Sequence, residues 1–293
     1  MVRQFWGLGK YSIVLAVLTT VLLPAGGYAA GPDYAVGLGF EFASGKYGTG
    51  VTTDSIYMPF TAAVYPTERL DFSLEIPFVY QSSSAVVAGQ FMGMQGQSTG
   101  TRSAMLAMGS PGTGGGTGSG QMTTATSGSV DSSQNGLGDV KLKAGYVLYT
   151  EEQYVPAIRP NFYVKFPTAD KDKFLGTGAF DEGFAVELTK WFGDWFADGE
   201  MGYALQGKSS VLAVKDYLYY YAGGGYQLTE RLRPMLFLKG SSATVEGASS
   251  LLEARLRVKY QITKHTGVDG YLAKGIEKAS PDYGMGLALS YDF

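Results

Sequence analysis

Two stretches of the chain alternate strictly between apolar and polar residues. From residue 70 to 78 the even positions are apolar, whereas positions 71 to 77 carry Asp, Ser, Glu and Pro at the odd numbers. Residues 251–262 repeat the pattern, with a charged residue at every second position from Glu253 to Lys259. Successive side chains of a strand point to opposite faces, so each stretch predicts a strand between an apolar and a polar environment. Each run is about a dozen residues long, whereas ordinary strands have about five or six and a tilted membrane-crossing strand needs roughly 9–11. The pattern therefore predicts transmembrane β-strands.

The same alternation along the chain predicts twelve strands. We place them at residues 33–43, 54–65, 70–81, 137–149, 156–168, 181–192, 195–206, 216–228, 232–240, 251–262, 267–274 and 282–293. Short connections near residues 66–69, 150–155, 193–194, 229–231 and 263–266 alternate with longer, more polar ones. Bacterial outer-membrane barrels have short periplasmic turns and longer outer loops. The fold class is therefore all-β, a transmembrane antiparallel up-and-down barrel of about twelve strands with one long Gly/Ser/Met-rich outer loop at residues 82–135.

Four prolines fall inside these predicted strands, namely Pro59, Pro77, Pro160 and Pro234. Proline has no N–H group to donate to a neighbouring strand, and a closed barrel has no free edge where that would be harmless. We expect these prolines to lie at bulges or near the rims of the barrel.

Several short turns carry a degenerate repeat. Residues 65–70, 226–232 and 260–265 each combine a tyrosine, a threonine and charged turn residues, while Tyr149, Trp191 and Trp195 flank other short turns. Aromatic rings concentrate where lipid meets water. The repeat therefore predicts a periplasmic aromatic girdle, and ordinary core tyrosines are the alternative.

The N-terminus has the pattern of a secretory signal peptide. Arg3 and Lys10 precede an apolar run from Tyr11 to Leu23, and small residues follow it. We place the signal peptide at residues 1–29 and a single barrel domain at residues 30–293. Removing Arg3 and Lys10 lowers the formal net charge from -3 to -5, which argues against a nucleic-acid partner. The 21 tyrosines and 42 glycines fit many strands joined by turns, and the absence of cysteine rules out a disulfide framework.

The last predicted strand alternates up to the final residue. Apolar residues occupy the odd positions from Tyr283 to Phe293, and small or acidic residues occupy the even ones. The pattern resembles the C-terminal targeting strand of outer-membrane barrels. We therefore expect Tyr291 and Phe293 to form the assembly signal for the barrel assembly machinery, with outer-membrane lipid around the barrel.

Charged residues on the polar face of the strands are the candidate lining of the pore. These are Glu75, Asp139, Lys141, Lys143, Arg159, Lys165, Glu187, Arg233, Glu253, Arg255, Arg257 and Lys259. Glu200 and Asp269 share their parity. A charge within the bilayer is costly unless it meets water or a partner. Two interpretations stay open, a hydrated channel lining and salt-bridged packing that fills a narrow barrel.

The sequence contains few candidates for catalytic residues. The only histidine, His265, falls in a predicted turn, and no cysteine is available, so we expect no catalytic residue, no metal site and no cofactor. The charge-poor loop at residues 82–135 either folds over the pore or extends as a surface loop.

Three short motifs resemble a known family. They are Gly136-Leu137-Gly138-Asp139, Phe166-Pro167-Thr168 and Leu175-Gly176-Thr177-Gly178. Similar motifs occur in the outer-membrane transporters grouped under the meta-pathway of phenol degradation, although Ala169 stands where that family usually has glycine. The likeness covers residues 33–293 and implies a barrel of this size that takes up aromatic or other small hydrophobic compounds.

Together these patterns predict a passive channel for small solutes, with hydrophobic or aromatic compounds as the candidate class, in the outer membrane of a Gram-negative bacterium. One alternative is a non-conducting scaffold barrel sealed by its charged interior. A lipid-acting enzyme of the outer membrane is a weaker alternative because His265 stands alone.

Overall fold

The computed structural model describes residues 33–48, 51–83, 133–210 and 213–293. In these ranges the chain forms thirteen β-strands and one 3-10 turn, Lys171–Lys173. The strands are β1 Asp33–Gly45, β2 Thr53–Tyr65, β3 Leu70–Gln81, β4 Gln134–Leu137, β5 Val140–Tyr146, β6 Ala157–Phe166, β7 Asp181–Phe192, β8 Trp195–Leu205, β9 Tyr217–Tyr226, β10 Leu232–Ser241, β11 Leu251–Gln261, β12 Thr266–Gly275 and β13 Tyr283–Asp292. No helix in the described part of the chain is long and apolar enough to cross a membrane.

The strands close into a barrel. Neighbours in sequence pair antiparallel, and β13 pairs with β1 along its whole length, from Ala35 opposite Asp292 to Ser44 opposite Tyr283. Strands β4 and β5 both pair with β3, so they occupy one place in the wall and the barrel has twelve strand positions. The predicted twelve-strand barrel is confirmed. The predicted strand at 137–149 is divided at Gly138, whose N–H donates to the carbonyl of Pro77 at 2.8 Å.

The two ends of the barrel differ in their connections. At one end, which we call the short-turn end, residues 66–69, 147–156, 193–194, 227–231 and 262–265 join the strands. The opposite end is the long-loop end, where the predicted loop at 82–135 lies largely outside the described residues. At the short-turn end Thr67, Thr229 and Thr263 each accept the N–H three residues later at 3.0 Å. The sequence repeat is therefore a repeated turn geometry.

The outer surface of the barrel is apolar. Large apolar side chains on successive strands point outward and are about half exposed, including Leu38, Phe184, Leu256, Leu272 and Leu287. In water such a surface would drive association, whereas in a bilayer it contacts lipid chains. The alternation therefore separates lipid from the barrel interior, as the sequence predicted.

The aromatic girdle at the short-turn end differs from the predicted girdle in one of its residues. Tyr149, Trp195 and Tyr260 are exposed on the outer face, and Trp195 packs against Tyr226 with ring centroids 4.9 Å apart. The prediction was wrong for Trp191, which lies inside the barrel against Phe196. Each strand position has a fixed side, and the parity of Trp191 is that of the inward-facing Glu187 on the same strand.

The prolines lie where the ladder is interrupted or ends. Pro59 and Pro77 face each other on β2 and β3, beside a gap in the β1–β2 pairing and beside the break between β4 and β5. Pro160 and Pro234 lie near the short-turn end, where the pairing of β6 with β5 and of β10 with β9 stops. The missing N–H groups therefore leave little of the ladder unpaired.

A charge placed on either side of β13 should separate the two faces. Leu287 is 57% exposed on the outer face, and Leu287→Arg should destabilise the barrel by about 2–4 kcal/mol because it puts the guanidinium in lipid. Ser290→Arg, on the inward parity of the same strand, should cost much less. Denaturant unfolding in phospholipid vesicles measures both, and equal destabilisation would contradict the assignment of faces.

Candidate functional site: the wall of the lumen

All twelve predicted lining residues lie on the inner side of the barrel. Of these, Glu75, Asp139, Lys141, Arg159, Glu187, Arg233, Glu253 and Arg257 are buried, and Lys143, Lys165, Arg255 and Lys259 are partly buried. Their role as the lining of a pore stays a prediction. The structure brings them together in separate groups, which differ in charge.

The first group lies on β3, β6 and β7 near the short-turn end. The Arg159 guanidinium binds both carboxylate oxygens of Asp71 at 2.8 Å and Glu187 Oε2 at 2.9 Å. Gly145 provides the space for it, because a Cβ atom there would lie 2.0 Å from Arg159 Nη2. Removing one partner of such a buried pair costs about 3–5 kcal/mol, so these three side chains are tightly coupled.

Acidic side chains accumulate next to that group on β7 and β8. Glu187 and Glu200 stand directly opposite each other in the strand pairing, an arrangement that is unfavourable for two like charges. Glu200 accepts a hydrogen bond from Asn161 at 3.1 Å and lies 3.9 Å from Lys143. Asp198 accepts the Thr189 hydroxyl at 2.7 Å. With fewer cations than carboxylates, this part of the wall is acidic.

Basic side chains accumulate on β10 and β11. Arg233 and Lys259 stand directly opposite each other, again a pair of like charges. Arg257 binds Asp269 with two bonds, from Nε to Oδ1 at 2.7 Å and from Nη2 to Oδ2 at 2.5 Å, and its Nη1 lies 3.4 Å from the Tyr221 hydroxyl. The short-turn half of the lumen therefore has an acidic wall on β7 and β8 and a basic wall on β10 and β11.

Nearer the long-loop end the charges are more evenly matched. Glu253 pairs with Arg255 at 2.6 Å and with Lys239 at 3.5 Å, and the Tyr271 hydroxyl donates to Glu41 at 2.7 Å. These five residues line a cavity of about 30 Å³, which is room for a few water molecules.

Glu75 organises the adjacent part of the wall on β2, β3 and β5. It accepts hydrogen bonds from the Tyr57 hydroxyl at 2.5 Å and from Lys141 at 3.1 Å. Lys141 in turn stands opposite Lys165 in the pairing of β5 with β6. Glu75 on β3 therefore connects Tyr57 on β2 with Lys141 on β5.

Aromatic side chains cover the wall between these charges. Tyr163, Tyr217 and Tyr219 form one buried cluster towards the long-loop end. A second cluster towards the short-turn end contains Phe196, Tyr221, Phe237 and Met235, with Trp191 packed against it. Because Tyr217, Tyr219 and Tyr221 occupy successive inward positions of β9, the two clusters form one aromatic wall along the barrel.

Rings of the aromatic wall lie against glycines of the neighbouring strand. Tyr163 stands opposite Gly183, and a Cβ atom on that glycine would be 2.2 Å from the ring. Tyr219 covers Gly202 in the same way at 2.3 Å. Phe237 covers Gly223 at 2.5 Å. A side chain at any of these glycines would collide with the ring, so the rings can occupy these positions only because glycine stands opposite them.

The three sequence motifs meet at the long-loop end. The Thr168 hydroxyl donates to the carbonyl of Gly138 at 3.0 Å and accepts the N–H of Val140 at 2.9 Å. Asp139 accepts the N–H of Ala169 at 3.0 Å. Gly176 lies against that carboxylate, because a Cβ atom there would be 2.6 Å from Asp139 Oδ2. The motifs therefore attach the connection between β6 and β7 to the break between β4 and β5.

Lys165 stands at the centre of this attachment. Its ammonium group lies 2.8 Å from Asp139, 2.6 Å from Asp181 and 2.7 Å from the Thr177 hydroxyl. Asp181 also accepts the N–H of Gly207 at 2.9 Å, which ties in the next long connection. We call residues 167–180 with these contacts the latched loop.

The latched loop places an apolar side chain inside the barrel mouth. Leu175 is buried with Tyr47, Tyr57 and Val79, which belong to the end of β1, to β2 and to β3. Tyr47 and Phe174, next to Leu175, are the two non-glycine residues with positive φ in the described ranges, at 49° and 55°. Burial raises the pKa of the Tyr47 hydroxyl, so it stays neutral here. The positive φ angles of Tyr47 and Phe174 cost energy, which indicates that contacts with neighbouring residues hold both residues in place.

Reasoning from the sequence missed several members of the wall. Glu41, Asp71, Lys239 and Asp198 follow the same parity rule and could have been found by it. The aromatic wall could not, because β9 is apolar on both faces and the pairing of each ring with a glycine depends on strand register. His265 is exposed in its turn, and its Nδ1 lies within hydrogen-bonding distance, 2.9 Å, of the Asp292 carbonyl oxygen, which can only accept.

Comparison with solved structures supports the architecture. An outer-membrane channel from Pseudomonas putida F1 is 12% identical, with a TM-score of 0.61 over 93% of this chain and 100% of that one. The NanC porin is 9% identical, with a TM-score of 0.50 over 87% of this chain and 98% of that one. Among curated proteins no match is found.

The family comparison covers most of the barrel. Residues 103–293 match the model of a family described as putative MetA-pathway of phenol degradation, and the match includes all three motifs of the latched loop. With its apolar outer face and closed barrel, the chain is an outer-membrane β-barrel protein of a Gram-negative bacterium, and it belongs to this family.

Proposed function

We propose that the protein is a passive outer-membrane channel for small solutes, and that hydrophobic or aromatic compounds are its substrates. It would act without a cofactor and without covalent chemistry. The observation that carries the proposal is the aromatic wall inside the barrel, whose rings lie against glycines of the neighbouring strands. A sealed barrel would gain more from rings that fill the interior than from rings laid against its wall.

An aromatic wall suits aromatic solutes. Ring pairs in offset or tilted arrangements contribute about 0.5–1.5 kcal/mol beyond the area they bury, which is enough to guide a solute without trapping it. The Pseudomonas putida barrel of the same fold is described as an outer-membrane channel, and the family description concerns phenol degradation. Both descriptions agree with a channel for aromatic compounds.

The competing proposal is a non-conducting scaffold barrel. It is favoured by the close ion pairs of the interior, such as Arg159 with Asp71 and Glu187. Salt-bridged side chains can fill a barrel as well as line one. The like-charge pairs Glu187–Glu200 and Arg233–Lys259 speak against it, because selection for a stable filling would avoid them.

Two further parts of the proposal concern export and assembly. We propose that residues 1–29 are a cleaved signal peptide and that Tyr291 and Phe293, exposed on the outer face of the barrel wall, are read by the barrel assembly machinery. Replacing both aromatic residues by Asp should abolish insertion, whereas Ser290→Asp on the inward side should not. The fraction of heat-modifiable protein in the outer membrane measures insertion, and normal insertion of the double variant would refute this part.

A glycine variant tests whether the aromatic wall borders an open path. In Gly183→Ala the new Cβ atom would lie 2.2 Å from the Tyr163 ring and must displace it. We expect the ring to move into the lumen and single-channel conductance in planar bilayers to fall. Adding Tyr163→Ala in the same chain should restore conductance by removing the displaced ring.

The matched control is Gly270→Ala, an outward glycine whose added Cβ would find only ordinary contacts, 3.6 Å or more from its neighbours. Its conductance should equal that of the unmodified protein. If the unmodified protein conducts no ions and does not permit swelling of solute-loaded liposomes, the scaffold proposal replaces the channel.

Releasing the latched loop should widen the mouth. Lys165→Gln leaves Asp139 and Asp181 without their shared cation, and breaking such a buried pair costs about 3–5 kcal/mol. We expect a higher conductance and faster proteolysis within residues 167–180.

Lys173→Gln is the matched control, because Lys173 lies in the same loop with a side chain 54% exposed and only a 3.9 Å contact to Asp170. An exposed pair of this kind contributes little. Equal conductance and proteolysis for the Lys165 and Lys173 variants would show that the latched loop does not control the mouth.

A further inference from the structure

One apolar contact of the latched loop lies inside the barrel, separate from the polar contacts of Lys165. We infer that this contact is a gate, in which Leu175 occupies a binding site for a compact apolar group of the solute. A solute that carries such a group takes the place of Leu175 and opens the mouth. The inference rests on the proposed channel function and adds its regulation and the kind of group that is recognised.

The site belongs to the inner surface of neighbouring strands. Tyr57 on β2 and Val79 on β3 stand opposite each other, and both have the inward parity of Glu75, to which the Tyr57 hydroxyl donates. A side chain that packs on them therefore lies within the lumen. We call the residues buried around Leu175 the leucine socket, which comprises Ala43, Tyr47, Tyr57 and Val79.

The wall leaves room for the leucine side chain. Gly136 on β4 stands opposite Val79, and a Cβ atom on that glycine would lie 2.9 Å from Leu175 Cδ1. Leu175 is 2% exposed and Val79 is 1% exposed. The leucine socket is therefore filled by the chain itself in this structure. It becomes available to a solute only when Leu175 withdraws.

The latched loop reaches the leucine socket from another part of the barrel wall. The loop joins β6 to β7, whereas the socket residues belong to β1, β2 and β3 or follow β1. The pairings of β6 with β5, of β5 with β3 and of β3 with β2 separate the start of the loop from β2. Three steps of about 4.8 Å each correspond to about 14 Å along the wall. The loop that carries Leu175 therefore narrows the mouth.

The backbone is strained on both sides of the contact. Tyr47 in the leucine socket and Phe174 next to Leu175 have positive φ, and they are the two non-glycine residues of the described ranges that do. Backbone conformations of this kind cost energy and concentrate at ligand clamps and switches. The burial of Leu175 offsets this cost. When a solute fills the socket instead, Phe174 can relax, which favours withdrawal of the loop.

A small turn carries Leu175 and holds itself together. Asp170 accepts the N–H of Asp172 at 3.0 Å and that of Lys173 at 3.3 Å. The N–H of Leu175 donates to the carbonyl of Asp170 at 3.1 Å. All three hydrogen bonds stay within the loop, so none has to break when the turn leaves the socket. The turn can therefore move as one unit.

The leucine socket determines which solutes can open the gate. Its surface is made of two tyrosine rings, a valine and an alanine, and it accommodates a branched alkyl side chain. A charged group would lose its hydration in such a site, which is costly without a partner. The gate therefore responds to uncharged solutes that carry an apolar group of about the size of a leucine side chain.

Proteolysis of the unmodified protein tests the inference without any substitution. Lys171 and Lys173 are exposed in the latched loop, and cleavage after them requires local opening of the loop. The probe is 3-methylbutan-1-ol, an uncharged alcohol with the branched alkyl group of leucine. At about ten times its dissociation constant, a probe that binds only the withdrawn state should raise the rate of tryptic cleavage about tenfold. Mass spectrometry of the protein in nanodiscs measures the rate.

Two variants of the loop assign the effect to the leucine socket. Leu175→Ala empties the socket, so cleavage should be severalfold faster and the open probability of single channels higher, and the alcohol should add little to either. The matched control is Phe180→Ala, which removes a larger apolar side chain from the same loop at a position that is 56% exposed. It should retain slow cleavage and the full response to the alcohol, which also separates the socket from effects of alcohol on the bilayer.

The results distinguish the leucine socket from the channel. If the alcohol leaves cleavage of the unmodified protein unchanged, or accelerates it equally in Leu175→Ala, the socket does not bind the alcohol and the inference fails. If Leu175→Ala and Phe180→Ala, both as heat-modifiable barrels, are cleaved and conduct alike, Leu175 does not close the mouth. A barrel that never conducts but is cleaved faster with the alcohol keeps the socket as a binding site and refutes the channel.

Discussion

Within a bilayer no water is available to backbone N–H and C=O groups, so each strand of this chain depends on its neighbours to satisfy them. The pairing of β13 with β1 completes that requirement by removing the last free edge. In a closed barrel each side chain of a strand faces either the lipid or the lumen. The apolar outer face, the charged interior and the placement of prolines at interruptions of the ladder all follow from this single constraint.

The interior of the barrel shows what closure makes possible. Charges that would be too costly in lipid are held there by partners, as in the contacts of Arg159 with Asp71 and Glu187. Pairing does not explain the whole arrangement, because acidic residues concentrate on β7 and β8 and basic ones on β10 and β11. Separating charges of opposite sign across a lumen lowers the stability of the barrel and creates a field that acts on a passing solute.

Glycine has a second role in this barrel, beyond its use in turns. Opposite Tyr163, Tyr219 and Phe237 the absence of a side chain on the next strand lets each ring lie against the backbone. At the mouth, Gly176 leaves space for a charged group, the Asp139 carboxylate, which anchors the latched loop.

The sequence by itself determined the barrel, its twelve strand positions and the faces of its charged residues, because a strand has a period of two and lipid tolerates only one of its faces. Glu75 and Arg257 were assigned to the lumen on that rule alone. The alternation of side chains along a strand does not show which residues of different strands contact each other. The seating of Tyr163 on Gly183 and the meeting of Lys165 with Asp139 and Asp181 depend on strand register and on the path of a loop. These contacts join residues far apart in sequence, and only the closed tertiary structure decides them.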